Sequence, residues 1–242
     1  MGKLLVFGGL HELGEGVMID YLVAGGPVMI PIVLCSVLSL ALIIERSLAL
    51  RDERIIPPEF IREAKRLVAA GREDELLELS RKSRTPIAKV IHTTILSRNL
   101  PSDTLREVVQ SVGKDQANRL SRYLTVLSTI ASIAPLLGLL GTVTGMIKVF
   151  SIISSKGVTN PSDLAGGISE ALLTTAAGLV VAIPTLIAHS YFFKRTNTYV
   201  LRMEEITLGM VSRLSRDRRE RANRQHEGAL DVDDWIKIDG GD

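Results

Sequence analysis

Three stretches of this chain, residues 22–44, 123–147 and 171–193, contain no Asp, Glu, Lys or Arg, and they are 23, 25 and 23 residues long. A helix rises about 1.5 Å per residue, so each stretch is long enough to cross a hydrocarbon core of about 30 Å. A soluble bundle would need charge-free core helices of this length three times over, against a usual helix of about three to four turns. The chain is therefore expected to be an all-α integral membrane protein with three transmembrane helices. Composition agrees: the mean hydropathy is +0.24 although 23% of the residues are charged, so charge and apolar residues are segregated along the chain. The first stretch does not read as a cleaved leader, because it starts late, is long, and follows a segment with one Lys and three acids.

Of the 29 Lys and Arg, one precedes the first stretch, 16 fall in residues 45–122, two (Lys148 and Lys156) lie between the second and third stretches, and ten follow residue 193. The positive-inside rule then puts the middle loop and the C-terminus in the cytoplasm and the N-terminus outside. The net charge of +2 is a balance between compartments and gives no sign of a nucleic-acid partner. Cys35 is the lone cysteine, so no internal disulfide is possible.

The expected order is an outer segment 1–21, span one 22–44, a cytoplasmic helical insert 45–122, span two 123–147, an outer loop 148–163, span three 164–193, a helical extension 194–215 and a tail 216–242. In the insert, Pro57-Pro58 opens a helix that Gly71 closes, a short amphipathic piece covers 75–82, and Thr85-Pro86 reads as an N-cap with proline in the first turn. Thr104 and Glu107 have capping-box spacing, and no proline follows Ser102 until Pro135, so span two is expected to top a helix that starts far into the cytoplasm. Asn160-Pro161 opens the third long helix. Its stripe Tyr199, Met203, Ile206, Met210 and Leu214 keeps coiled-coil-like spacing well past the span, so the extensions of helices two and three are expected to pack together. The composition of the tail favours disorder, and its Arg216, Arg218, Arg219, Arg221 and Arg224 suit either a solvated helix end or lipid headgroups.

The spans are two-faced. In span three, Ala171, Thr174, Thr175, Gly178, Ala182, Thr185 and His189 fall within about 100° of arc, opposite a bulky apolar side. In span two, Ala131, Pro135, Gly138, Thr142, Gly145 and Val149 form a small stripe, and Gly141 and Gly145 add a GxxxG. Small faces let transmembrane helices approach closely, and a buried Thr can bond the carbonyl one turn back. Glu170 admits two readings: lining for a wet lumen ahead of Thr174, or a carboxylate solvated at the outer headgroups. His189 reads either as an interfacial side chain or as a possible inner exit for a proton. The sequence has no HExxH, no GxSxG, no carboxylate pair within a span and no metal-ligand cluster, so neither enzyme chemistry, a metal nor a cofactor is expected.

The run from Ala134-Pro135-Leu136-Leu137-Gly138 through Gly141-Thr142-Val143-Thr144-Gly145-Met146, with Gly167-Ile168-Ser169-Glu170-Ala171-Leu172-Leu173-Thr174-Thr175-Ala176-Ala177-Gly178 and Ala182-Ile183-Pro184, resembles the paired membrane signature of the MotA/TolQ/ExbB proton channel family. Three spans with an insert after the first resemble ExbB or TolQ more than four-span MotA. Gly25-Gly26-Pro27 at the mouth of span one also fits, whereas Thr144 stands where related sequences often carry a bulkier residue. The resemblance implies a homo-oligomeric ring, expected to be a pentamer, in a bacterial inner membrane. The ring would surround an ExbD/TolR-like single-span partner that bears a membrane Asp. It also implies that Thr142 and Thr175 line the lumen near that Asp and that Glu170 is polar lining, with Thr174 on the same face. Pro135, Gly138, Gly141, Gly145, Gly178 and Ala182 are expected to supply close packing, holding sister subunits together. The function expected is a proton channel subunit coupling the gradient to mechanical work. A non-conducting scaffold for an envelope complex is the alternative.

The expected topology has a direct test. In a Cys35→Ala background, Arg81→Cys should be labelled only from the cytoplasm and Gly157→Cys only from outside; labelling of position 81 from outside would overturn it.

Overall fold

The computed structural model describes residues 24–157 and 161–238, so the expected outer segment 1–21 falls outside it. Among the described residues the elements are α1 (Met29–Ala49), α2 (Asp52–Ile55), α3 (Pro58–Ala70), α4 (Glu73–Lys82), α5 (Pro86–Leu96), α6 (Ser102–Ser121), α7 (Leu124–Lys156) and α8 (Pro161–Ile238), with no strand. Three of these, α1, α7 and α8, are long and apolar enough to cross a membrane. The chain divides into two compact units. One holds α1, α7 and α8 as far as Phe193; the other holds α2–α6 and α8 from Lys194.

In the first unit, α1 begins at Met29, just past a turn at Gly26. Gly26 has φ +68°, a conformation that L side chains avoid, and Pro27 follows it. The Met29 and Ile30 amides close this turn onto the Gly26 and Pro27 carbonyls at 3.1 and 3.3 Å. At its other end α1 continues past the charge-free stretch to Ala49, and Arg46 is held by protein groups. It is 5% exposed, bonds Glu45 at 2.5 Å and lies 4.6 Å above the Tyr123 ring. Helix α7 runs on to Lys156 and stops at Gly157, φ +72°, so much of the expected outer loop is helical.

Four expectations about helix ends need correction. The helix expected to run unbroken from Ser102 through span two is divided, since α6 ends at Ser121 and α7 starts at Leu124. The break falls at Tyr123, whose ring carries Arg46 and, at 5.9 Å, Arg122. Thr104 caps nothing: α6 starts at Ser102, and the Leu105 amide bonds the Pro101 carbonyl at 2.9 Å, so Thr104 sits inside the first turn. Thr85 is the N-cap residue of α5, but its hydroxyl pairs with Ser83 Oγ at 2.9 Å instead of capping. Finally, α8 remains helical through residues 216–238, where disorder was expected. That stretch has no proline and carries five Arg, two Glu and two Ala, all good helix formers.

The second unit is built around α5, which buries Ile87, Ala88, Val90, Ile91, Thr94 and Ile95. Proline at the first position of α3 and a left-handed Gly71 at its end set that helix's length. The Gly71 and Arg72 amides return to Val68 and Leu67 at 3.1 and 3.0 Å, a Schellman closure. Helix α8 contributes Tyr199, Met203, Met210 and Leu214, all buried as the stripe predicts, while Thr207 is buried in preference to Ile206. Gly113 of α6 lies against Glu204 of α8, since a Cβ there would stand 2.8 Å from the Glu204 carboxylate.

Asp52, just past α1, ties the start of the insert to α8. It accepts the Tyr199 hydroxyl and, at 3.2 Å, the Arg195 guanidinium. The Tyr199 hydrogen bond, helped by Arg195 and opposed by desolvation, holds the Asp52 carboxyl below its ordinary range. A carboxyl lowered in this way contributes stability above its unfolded pKa of about 4 and loses it as pH falls through that range. Asp52→Asn should therefore melt below the parent at pH 7, with the gap narrowing as pH falls below about 4 and through the lowered pKa. Thermal unfolding of the purified chain across that range checks this; a constant gap would contradict it.

Candidate functional site

The pairing of α7 with α8 is made of residues too small to hold two backbones apart. Ala131, Ala134, Gly138, Gly141, Gly145 and Val149 are buried on α7, and Gly167, Ala171, Thr174, Gly178, Ala182 and Thr185 on α8. A Cβ on Gly178 would lie 2.6 Å from the Ala134 carbonyl oxygen, one on Gly145 2.8 Å from the Gly167 oxygen, and one on Gly138 3.0 Å from the Thr175 Cα. These neighbours are main chain, so a side chain at any of the three would have to part the helices. At Gly141 a Cβ would overlap the Thr174 side chain itself.

This seam lies within one chain, so the expectation that these small faces hold sister subunits together is replaced: they join spans two and three of the same subunit. On α7 the seam keeps Ala131, Gly138, Gly145 and Val149 of the expected stripe and departs from it at two positions. Pro135 and Thr142 are half-buried at the edge, and Ala134 and Gly141 occupy the contact. Thr174 decides between the two, because its side chain needs the room that only glycine at 141 leaves.

The threonines separate accordingly. Thr174 is 1% exposed and donates to the Glu170 and Ala171 carbonyls at 3.0 Å each, so it belongs to the seam and has no open face within this chain. Thr175 is half-buried and donates across the seam to the Gly138 carbonyl at 3.0 Å. Thr142, also half-buried, donates to the Leu139 carbonyl at 2.7 Å. Gly138 and Thr142 are one turn apart on α7, so the Thr175 and Thr142 hydroxyls share one edge of the seam. Thr144 is half-buried and turns its hydroxyl to the Leu140 and Gly141 carbonyls at 3.1 and 3.0 Å. Ala182 is buried in the seam, and His189 is half-buried with its ring stacked on Phe193 at a centroid distance of 6.0 Å.

Neither sequence reading of Glu170 anticipates its partner. Lys148 Nζ stands 2.5 Å from one carboxylate oxygen and 2.8 Å from the other, and the carboxylate rests on Gly26, where a Cβ would overlap it. The signal available in the sequence is that Lys148 and Glu170 are the first charges beyond the facing ends of spans two and three. The Arg46–Tyr123 contact was missed as well; both residues sit at the boundaries of charge-free stretches. No group of three or more His, Cys, Asp or Glu is placed to hold a metal among the described residues.

The fold defines a class: a helical membrane protein with three candidate spans, the second and third closed on a glycine seam with hydroxyls at its edge. The sequence pattern of the MotA/TolQ/ExbB proton channel family matches residues 81–205. ExbB-like 3 of Synechocystis sp. is 33% identical over 171 residues, covering 70% of this chain and 81% of that protein. The biopolymer transport protein exbB1 of Vibrio cholerae is 31% identical over 160 residues, 64% of this chain and 70% of its own. The biopolymer transport protein ExbB of Aquifex aeolicus is 40% identical over 87 residues, 36% of this chain and 59% of its own. The chain belongs to the MotA/TolQ/ExbB proton channel family.

The seam predicts a contrast between two glycines of α8. Gly178→Ala drives a methyl into the Ala134 carbonyl and should destabilise by about 1–3 kcal/mol. Gly166→Ala has nothing within 4 Å and should be neutral or slightly stabilising. Thermal unfolding in detergent distinguishes them, and equal effects would argue against close backbone contact.

Proposed function

We propose that this chain is a proton channel subunit of an energy-transducing complex in a bacterial inner membrane, with its N-terminus periplasmic and its C-terminus cytoplasmic. Copies of the chain form a ring, five in our reading, around a single-span ExbD/TolR-like partner whose membrane Asp takes and releases the proton. Work reaches the envelope through that partner, and the chain is not an enzyme. Membership of a proton channel family, the ExbB names of its relatives and three helices long enough to span support this reading.

The observation that carries it is the shared edge. Thr142 and Thr175 place two hydroxyls along one side of the seam, half-buried rather than sealed. A hydroxyl both donates and accepts but does not titrate at working pH, so these residues suit solvation of a partner's carboxylate rather than carriage of the charge. The charge-free stretches give this chain no mid-span carboxylate of its own. Glu170 then lines the outer mouth, Thr174 acts through helix contact, and His189 stands at the inner end.

One observation favours the scaffold alternative: each of these Thr hydroxyls already donates to a main-chain carbonyl. The two readings part on Thr142→Val and Thr175→Val, which remove the hydroxyl and keep the shape. In liposomes with the partner, each variant should assemble and lose most of the parent's proton uptake. Loss of the Thr175 hydrogen bond should cost only about 0.5–1.5 kcal/mol of stability. Parent-like uptake by both assembled variants would leave the scaffold reading standing.

A further inference from the structure

We propose that Lys148 is a positioning residue: it holds the Glu170 carboxylate against the Gly26 turn and so latches together the three candidate spans at one end of their unit. Three elements meet there. Lys148 is on α7, Glu170 is on α8, and Gly26 belongs to the turn that starts α1. The ammonium lies within 2.8 Å of both carboxylate oxygens, a two-pronged contact that fixes orientation as well as distance. Glu170's side chain is 14% exposed and Lys148's is 49%, so the carboxylate is enclosed and the lysine reaches in from a more open position.

The seam sets the reach. Gly145, just before Lys148, sits on the Gly167 carbonyl and the Ala171 side chain, the residues that flank Glu170 along α8. Bulkier residues at 145 or 167 would part the helices and carry the ammonium away from the carboxylate. On the α1 side, the missing side chain of Gly26 leaves the space the carboxylate fills, and its positive φ turns the chain toward Met29. An ion pair with one partner this enclosed is coupled more strongly than an exposed surface pair, because solvent screens it less.

Stated alone, the latch concerns the assembly of three helices. Its consequence for transport, that Lys148 keeps Glu170 in place at the mouth of the path, rests on the channel reading above. The test uses both properties. Lys148→Glu and Glu170→Lys should each lower the melting temperature of the purified chain by several degrees, and the double swap should recover most of that loss. In liposomes with the partner, Lys148→Met should lower proton uptake severalfold, whereas Lys148→Arg should retain most of it. Losses in the double swap that equal the sum of the two singles would overturn the latch, and so would a Lys148→Arg uptake as poor as that of Lys148→Met. A parent chain that conducts nothing with its partner would defeat the channel reading alone, with the swap still deciding the latch. Should the reversals fail to fold, the melting temperatures of Lys148→Met, Glu170→Gln and their double variant give the same coupling.

Discussion

Main chain meets main chain along α7 and α8, and the first unit depends on that approach. With glycine at 138, 145 and 178 standing within about a methyl's reach of carbonyls or a Cα, any side chain there has to part the helices. In lipid the hydrophobic effect does not drive helices together, so close van der Waals packing has to. The apolar residues turned away from the seam, among them Leu136, Leu139, Val180 and Ile183, stay exposed, as lipid-facing or partner-facing residues do.

The approach also arranges the chemistry. Because the backbones touch, the Thr175 hydroxyl reaches the Gly138 carbonyl, Thr174 fills the space over Gly141, and Lys148 reaches Glu170. Threonine thus serves two purposes one residue apart. Thr174 is spent on packing, and Thr175 sits at an edge where a partner or water can meet it. The small faces are satisfied within the chain, so the contact between copies falls to other surfaces in the ring we propose.

The spans were legible because a bilayer penalises charge, and 23 to 25 residues without any leave few alternatives. Two positions on the α7 side of the seam were not. The stripes through Pro135 and Thr142 and through Ala134 and Gly141 advance at the same mean step, and only the bulk of Thr174 on the facing helix separates them. The Lys148–Glu170 pair escaped for a related reason: the residues are 22 apart in sequence, and their meeting depends on how closely the helices approach. On α8 the stripe of Tyr199 and Met203 announced burial, but nothing local announced that the Tyr199 hydroxyl would hold Asp52. Caps failed as signals where neighbours competed, as when Ser83 took the Thr85 hydroxyl.

The central claim is that spans two and three of a single chain close on each other, and paired cysteines test it most directly. A Cβ on Gly145 would lie 2.9 Å from the Ala171 Cβ, and a shift of under an ångström brings the pair to the roughly 3.5–4.5 Å that a disulfide requires. In a Cys35→Ala background, the Gly145→Cys, Ala171→Cys double variant should oxidise within the chain, with both thiols lost and the denatured mass still that of a monomer. Covalent dimers and ladders in place of that monomer would mean that the seam joins different subunits, and the account would be wrong.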